Sequence, residues 1–437
     1  MSRASSSAFC LGVLAVLLLQ GCASPKTTAP PVEPPATFSP AGSLDVPDRW
    51  WTAFGNQRLN AVVDTATATN FTLRTAWERL QAARAVVDRE AGALYPDLEA
   101  SGRAEGRGGT DAAFAVGESF ELGLSSVYEV DLWGRLRSRV EAERFRAEAT
   151  RTDYQTAALS LSGEVVRTWV QLAEANSQRR LVQDQIETNE TVLTLLENRF
   201  ETGQIRSVDI LRQRQLVEST REQRTVVESR IQVLEHQLAV LLGRSPQAGI
   251  EDAPTALPDL PPLPETGVPT DLIRRRPDVQ SALNRLRAAD RDLAAAISDQ
   301  YPRLTLSASG ATVAESATDL FQSWAYSFVG NLLAPIFRGG ALRAEVDRTE
   351  AVRTQRLYEY GQTVLTAFQE VEDALAREKK QRERIRQLER QVELAQQAYE
   401  QLRRDRLSAE RTLVEDRIAL YRALAGSFET DREEEDR

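Results

Sequence analysis

The sequence predicts an α+β membrane protein made of two copies of one half, with long antiparallel helical hairpins carrying a few amphipathic β-strands. Three observations lead there. Tyr95-Pro96-Asp97-Leu98 returns as Tyr301-Pro302-Arg303-Leu304, Arg79-Leu80 as Arg285-Leu286, Leu136-Arg137 as Leu342-Arg343, and Tyr154 as Tyr360, all at one offset of 206 residues. That offset is far longer than a solenoid repeat of roughly 20–50 residues, so a whole domain half is duplicated. Each copy also holds a long proline-free stretch with heptad spacing, and a pair of short segments that alternate polar and apolar residues.

Residues 1–21 have the layout of a signal peptide: Arg3, an apolar run from Ala8 to Leu19, then small residues. The run is shorter than the ~20 residues a membrane-spanning helix needs. Leu19-Gln20-Gly21-Cys22 has the form of a bacterial lipobox, which makes Cys22 the lipid anchor of the mature chain; Ala23, rather than an acid, follows it and points to the outer membrane. Cys10 leaves with the signal, so the mature protein has no disulfide and depends on helix packing and oligomerisation. Residues 22–48 form an extended tether, with Pro at 25, 30, 31, 34, 35, 40 and 47.

The first repeat occupies residues 49–245. Its elements read as a helix over 57–94, strands over 96–106 and 114–131, a helix from Gly134 to Glu201, a turn at Gly203 and a returning helix from Val208 to Leu242. Gly163 is the one glycine between Gly134 and Glu201, and a helix of that length would run roughly 100 Å at 1.5 Å per residue. Val182, Ile186, Asn189, Leu193, Leu196 and Phe200 step by four and three; Val227, Ile231, Leu234, Leu238 and Leu241 continue the seam on the return. A proline-rich connector covers 246–269. The second repeat, 270–429, is expected to contain a helix over 270–300, strands over 302–312 and 321–336, a helix over 341–407, a turn at Ala409 and a return over 411–428. Its seam is Leu388, Val392, Ala395, Tyr399 and Leu402. Residues 430–437 read as an acidic tail.

In all four strands the apolar residues fall on even numbers: Leu98, Ala100 and Ala104; Phe120, Leu122 and Leu124; Leu304, Leu306 and Ala308; Trp324, Tyr326 and Phe328. An even offset preserves that face between the copies. Apolar-out, polar-in alternation is the pattern of a membrane barrel, although a half-buried soluble sheet shares it. Four strands cannot enclose a lumen, so the barrel must be shared among chains related by cyclic symmetry.

Composition excludes other classes. A net charge of −10 with scattered Arg gives no basic stripe for nucleic acid. The single histidine, His236, lies on a helix face, and without a second His or a free mature Cys the usual metal and nucleophile sites cannot be built. Gly106-Arg107-Gly108-Gly109 sits between strands as a turn and is no phosphate loop.

The residues resemble the TolC-like outer-membrane efflux proteins, closest to their lipidated OprM/NodT branch. The resemblance rests on Trp50-Trp51-Thr52-Ala53-Phe54, Asn70-Phe71-Thr72-Leu73, Glu129-Val130-Asp131-Leu132-Trp133-Gly134-Arg135, Arg275-Arg276-Pro277-Asp278, and Pro335-Ile336-Phe337 with Gly339-Gly340, in that order. It implies a homotrimer with a 12-stranded outer-membrane barrel continuing into a periplasmic helical tunnel. It also implies an exit duct that works with a periplasmic adaptor and an inner-membrane pump of the RND class, without cofactor, metal or chemistry. Gly134, Gly339 and Gly340 are expected at strand-to-helix junctions, where backbone angles closed to other residues are needed. The family's periplasmic gate maps onto Asp209, Arg411 and Glu415, around hairpin turns at Gly203 and Ala409. On this mapping an Asp209–Arg411 pair ties the entrance and three Glu415 form an acidic ring. Ala409 stands where the family has Gly, Arg406 where it has an aromatic residue, and Ile418 where it has a second carboxylate. The competing reading is a periplasmic adaptor or structural coiled-coil lipoprotein; the two strand pairs with a common apolar face oppose it.

Overall fold

The computed structural model describes residue 38 and residues 46–107, 117–250, 253–264, 269–394 and 399–436. The expected signal peptide, Cys22 and most of the tether lie outside the described residues. After a 3-10 turn at Trp50–Phe54 come α1 (Gln57–Thr69), α2 (Phe71–Gly92), β1 (Asp97–Arg107), β2 (Gly117–Val130), α3 (Arg135–Glu201) and α4 (Ser207–Leu241). The second copy contains α5 (Pro269–Arg275), α6 (Pro277–Ser298), β3 (Arg303–Ala314), β4 (Ala325–Leu333), α7 (Ala341–Leu394) and α8 (Tyr399–Leu424); a one-turn helix, α9 (Asp431–Glu435), follows.

Asn56 and Asn70 start α1 and α2 by accepting the Leu59 and Leu73 amides, at 3.0 Å each. The helix expected over 57–94 is therefore two helices. Trp50, Trp51 and Phe54 fill one hydrophobic core with Tyr154, Trp169, Leu238, Ile418, Tyr421 and Phe428, which locks both copies together. A second core gathers Leu272, Val279, Tyr360, Val364, Phe368 and Leu420. Gly163 is where α8 crosses α3: a Cβ at that position would collide with the Arg422 side chain.

The proline-rich connector is a strap. Its carbonyls at Pro254 and Thr255 accept from Asn176 and Ser177, at 3.1 and 3.0 Å. The Pro261 carbonyl accepts from Arg417, which is wholly buried. The acidic tail is also docked: Tyr154 and Thr430 hydroxyls lie 2.7 Å apart, Gln155 donates to Glu433 at 3.2 Å, and Arg84 pairs with Asp436.

The four strands form one antiparallel sheet in the order β1-β2-β3-β4. The register pairs even residues with even residues throughout: Ala100 with Leu124, Tyr128 with Leu306, Ala308 with Phe328, Leu304 with Leu332. One face therefore carries Leu98, Leu124, Leu306, Tyr326, Phe328 and Leu332, all between 44% and 81% exposed. Its one charged residue, Glu118, is at the far end of β2 beside Gly106. The opposite face carries Glu99, Arg103, Glu121 and Arg303. The outer edges of β1 and β4 have no partner strand among the described residues. Among the described residues no helix is long and apolar enough to cross a membrane.

The second hairpin departs from the expected layout. Ala409 is not at a turn. It lies inside α8, fully buried, and its carbonyl accepts from Gln381 of α7 at 2.8 Å. The expected helix over 341–407 is divided between α7 and α8, and the described seam on α7 stops after Leu388 and Val392. Tyr399 belongs to the returning limb instead. An alanine satisfies a helix interior, whereas the left-handed backbone of a tight reversal would require glycine.

Candidate duct and periplasmic gate

Each junction between sheet and helix is built locally. Gly134, Gly339 and Gly340 have φ of +75°, +58° and +84°, the left-handed region the sequence reading assigned to them. Asp131 caps α3 by accepting the Leu136 and Arg137 amides at 3.1 and 3.0 Å. Partial burial pushes the Asp131 carboxyl up, but those hydrogen bonds and the Arg137 charge outweigh it and hold it below the usual carboxylate range. Arg135 is clamped to Glu129 by two bonds of 3.1 and 2.7 Å. The Trp133 indole donates to the Pro302 carbonyl at 2.8 Å, and Ser298 donates to the Trp133 carbonyl at 3.0 Å, so the two copies' strands leave the helical body together. In the Arg275-Arg276-Pro277-Asp278 motif, Arg276 is buried and holds Asp278 and Glu370, each at 2.7 Å.

The first hairpin tip matches expectation. Gly203 has φ of +70°, and the Gly203 and Gln204 amides close the end of α3 on the carbonyls of Phe200 and Arg199. Asp209 sits in the first turn of α4, where its carboxylate accepts the Arg206 amide at 3.2 Å.

Arg411 and Glu415 are elsewhere. They pair with each other along α8 at 2.6 Å, and Glu415 also accepts from Gln171 of α3 at 2.8 Å. The α8 limb runs antiparallel to α3, with Thr430 beside Tyr154, Glu415 beside Gln171, and Arg404 beside Gln178 and Gln185. Arg411 is therefore level with about residue 175 of α3, and Asp209 with about residue 202; at 1.5 Å per residue the heights differ by about 40 Å. The expected Asp209–Arg411 tie does not form in this chain. Glu415 likewise is charge-neutralised against Arg411 rather than free for an acidic ring.

Sequence reasoning missed the pair that matters most in this limb. Arg417 donates to both Glu378 oxygens, at 2.8 and 2.5 Å, with side chains only 0% and 3% exposed. Next to it Asp416 is 3.9 Å from Arg377. Burial, partly offset by Arg377 and reinforced by Glu415 and Glu378, raises the Asp416 carboxyl to about 6. A buried Arg within a charged run has no distinct spacing, so only the fold reveals it. His236 is an exposed helix-face residue as expected, and no cluster of metal-binding side chains occurs among the described residues.

A sheet with one apolar face, charged only at Glu118 on its far end, and two edges left unpaired among the described residues, mounted on long helical hairpins, defines a subunit of an outer-membrane channel. The chain belongs to the outer membrane efflux protein family, whose model matches residues 62–244 and 268–425. It is 32% identical to the pyoverdine export outer membrane protein OpmQ of Pseudomonas aeruginosa over 90% of each chain. The Pseudomonas putida OpmQ is also 32% identical, over 97% of this chain and 98% of that one. Nodulation protein T of Rhizobium leguminosarum bv. trifolii is 27% identical over 87% of this chain and 84% of that protein. The fold superimposes on the outer-membrane channel OprN with a TM-score of 0.84 at 27% identity, covering 92% of this chain and 98% of that one. The open-state MtrE channel of Neisseria gonorrhoeae gives 0.84 at 25% identity over 93% and 98%. The protein is thus an efflux channel of the outer membrane, with a helical extension on the periplasmic side.

Proposed function

We propose that three copies of this chain close a 12-stranded barrel and a continuous helical tunnel, forming a passive exit duct for an inner-membrane pump of the RND class and its periplasmic adaptor. The observation that carries the reading is the sheet. Its open β1 and β4 edges leave backbone groups unpaired, which hydrocarbon does not tolerate, while its even face is apolar and exposed. Pairing β4 of one copy with β1 of the next satisfies both edges and directs the charged odd face into a lumen. Cys22 is the proposed lipid anchor. Relatives named for pyoverdine, solvent and cation efflux all lie at 26–32% identity, which supports a common duct role without singling out a cargo.

The test is direct. Outer-membrane extracts should yield a heat-modifiable trimer that gives discrete conductance steps in planar bilayers, and Cys22→Ser should abolish palmitate labelling without removing the steps. A monomer without conductance would overturn the duct.

A further inference from the structure

The second copy repeats a packing surface of the first, but one side of it has no partner. Inside the chain, α6 lies along both α3 and α7, whereas α2 lies along α3 and its other flank has no helix packed on it among the described residues. The sheet-proximal part of α7 is the counterpart of the part of α3 that α6 covers, and one of its faces is bare. Tyr358 and Leu365 of α7 are 65% and 47% exposed, where their counterparts 206 positions earlier, Thr152 and Leu159, are 7% and 9%. Beside Tyr358 a shallow groove is lined by Asp347, Ala351, Gln355 and Glu359 of the same helix.

The internal seam between α3 and α6 shows what that face fits. Asp153 of α3 accepts from the Ser281 hydroxyl at 2.6 Å and from the Arg285 guanidinium at 2.5 Å. At the offset of 206 these three positions are Glu359, Thr75 and Arg79, again a carboxylate, a hydroxyl and a guanidinium. The helices also keep their phase: the neighbouring Leu80 and Leu286 are both buried, as are Tyr154 and Tyr360. Within one chain the second set does not meet. Glu359 accepts from Gln355 and Arg356 of its own helix, at 2.8 and 2.6 Å, and the exposed Arg79 makes no ion pair among the described residues. Every other ion pair of the α3–α6 seam loses charge at the offset. Arg146–Asp292 becomes Val352 and Val86, and the partners Arg291 and Asp299 become Ala85 and Ala93.

We propose that α2 of a neighbouring copy of this chain covers the bare face of α7 in the register of the internal seam, so that Glu359 of one protomer receives Arg79 and Thr75 of the next. Each boundary between subunits then holds one ionic triad in a seam that is otherwise apolar, with Val352 against Val86. Closing the boundary desolvates these charges, and one register alone satisfies them; apolar contacts by themselves would tolerate a slip of a heptad. The triad therefore sets the register between subunits. This rests on the duct reading, because only a closed ring brings α2 of one copy to α7 of another.

The test combines Thr75→Cys with Glu359→Cys and resolves the outer-membrane fraction on non-reducing gels after mild oxidation. A serine hydroxyl bonded to an aspartate, as at the internal seam, keeps two backbones near the ~7 Å limit of a disulfide. Disulfide-linked dimers and trimers are expected. They should be absent from both single variants and from Thr75→Cys combined with Val352→Cys, which lies about 10 Å further along α7. A charge swap reads the same contact without cysteine. Arg79→Glu and Glu359→Arg should each lower the yield of heat-modifiable trimer about tenfold, through like charges facing each other, and the double variant should restore it to within about twofold. An assembled trimer without the cross-link, equal cross-linking of the displaced pair, or a double variant no better than the singles would overturn the triad. A conducting trimer that fails these tests refutes the triad alone, whereas an unaltered chain that yields no trimer refutes the duct.

Discussion

Removing Glu378 should destabilise the helical body more than any surface change. Arg417 is wholly buried and spends its donors on Glu378 and the Pro261 carbonyl, joining α7, α8 and the connector strap. Glu378→Leu leaves that guanidinium buried without its counter-charge, which costs about 3–5 kcal/mol. Arg417→Met should cost less. Glu378 keeps Arg382, 3.0 Å away and half-exposed, so its charge remains compensated at about half that penalty. The double variant, with two apolar side chains facing each other, should recover most of the loss. The assay is thermal unfolding of the purified trimer at fixed concentration, followed by helical circular dichroism and arranged as a double-mutant cycle. Strictly additive single effects, or Glu378→Leu costing under about 0.5 kcal/mol, as for ordinary surface positions, would refute the buried pair.

Asp416 should make stability depend on pH. Its folded pKa of about 6 is above the ordinary carboxylate value, so the folded state binds more protons between about pH 4 and 6 and stability falls as pH rises through that window. Asp416→Asn should raise the melting temperature at pH 7.5 and lose its advantage near pH 4; an equal gain at both would show that charge is not the cause. Ala409→Gly should destabilise by about 1 kcal/mol as a helix-interior glycine, and Gly203→Ala by about 1–2 kcal/mol at its left-handed backbone, both read by melting. A neutral or stabilising Ala409→Gly would return the turn to that position. Phe328→Arg, in mid-strand on the apolar face, should cost about 2–4 kcal/mol and reduce assembled trimer in the outer membrane, while Ser327→Arg on the other face should assemble normally.

How far the sequence could be read depended on the range of each interaction. The even-numbered strand face was legible because a period of two is a local property, and the observed register preserves it across all four strands. Gly134, Gly203, Gly339 and Gly340 were legible because positive φ excludes most other residues. The second turn was misplaced, because Ala409 lies inside α8. Heptad phase does not report where a helix ends, so Tyr399 and Leu402 kept the appearance of a descending seam although both belong to α8.

The sequence by itself determined the duplication, the strand face, the junctions and the family. These follow from steric and hydrophobic preferences that act within a few residues. Only the tertiary structure decided where the second hairpin reverses, what Arg411 and Glu415 touch, and that Arg417 is buried. Those outcomes depend on which limb packs beside which. Antiparallel helices can pair in several heptad registers, and here the bonds from Gln171, Gln178 and Gln381 select one of them.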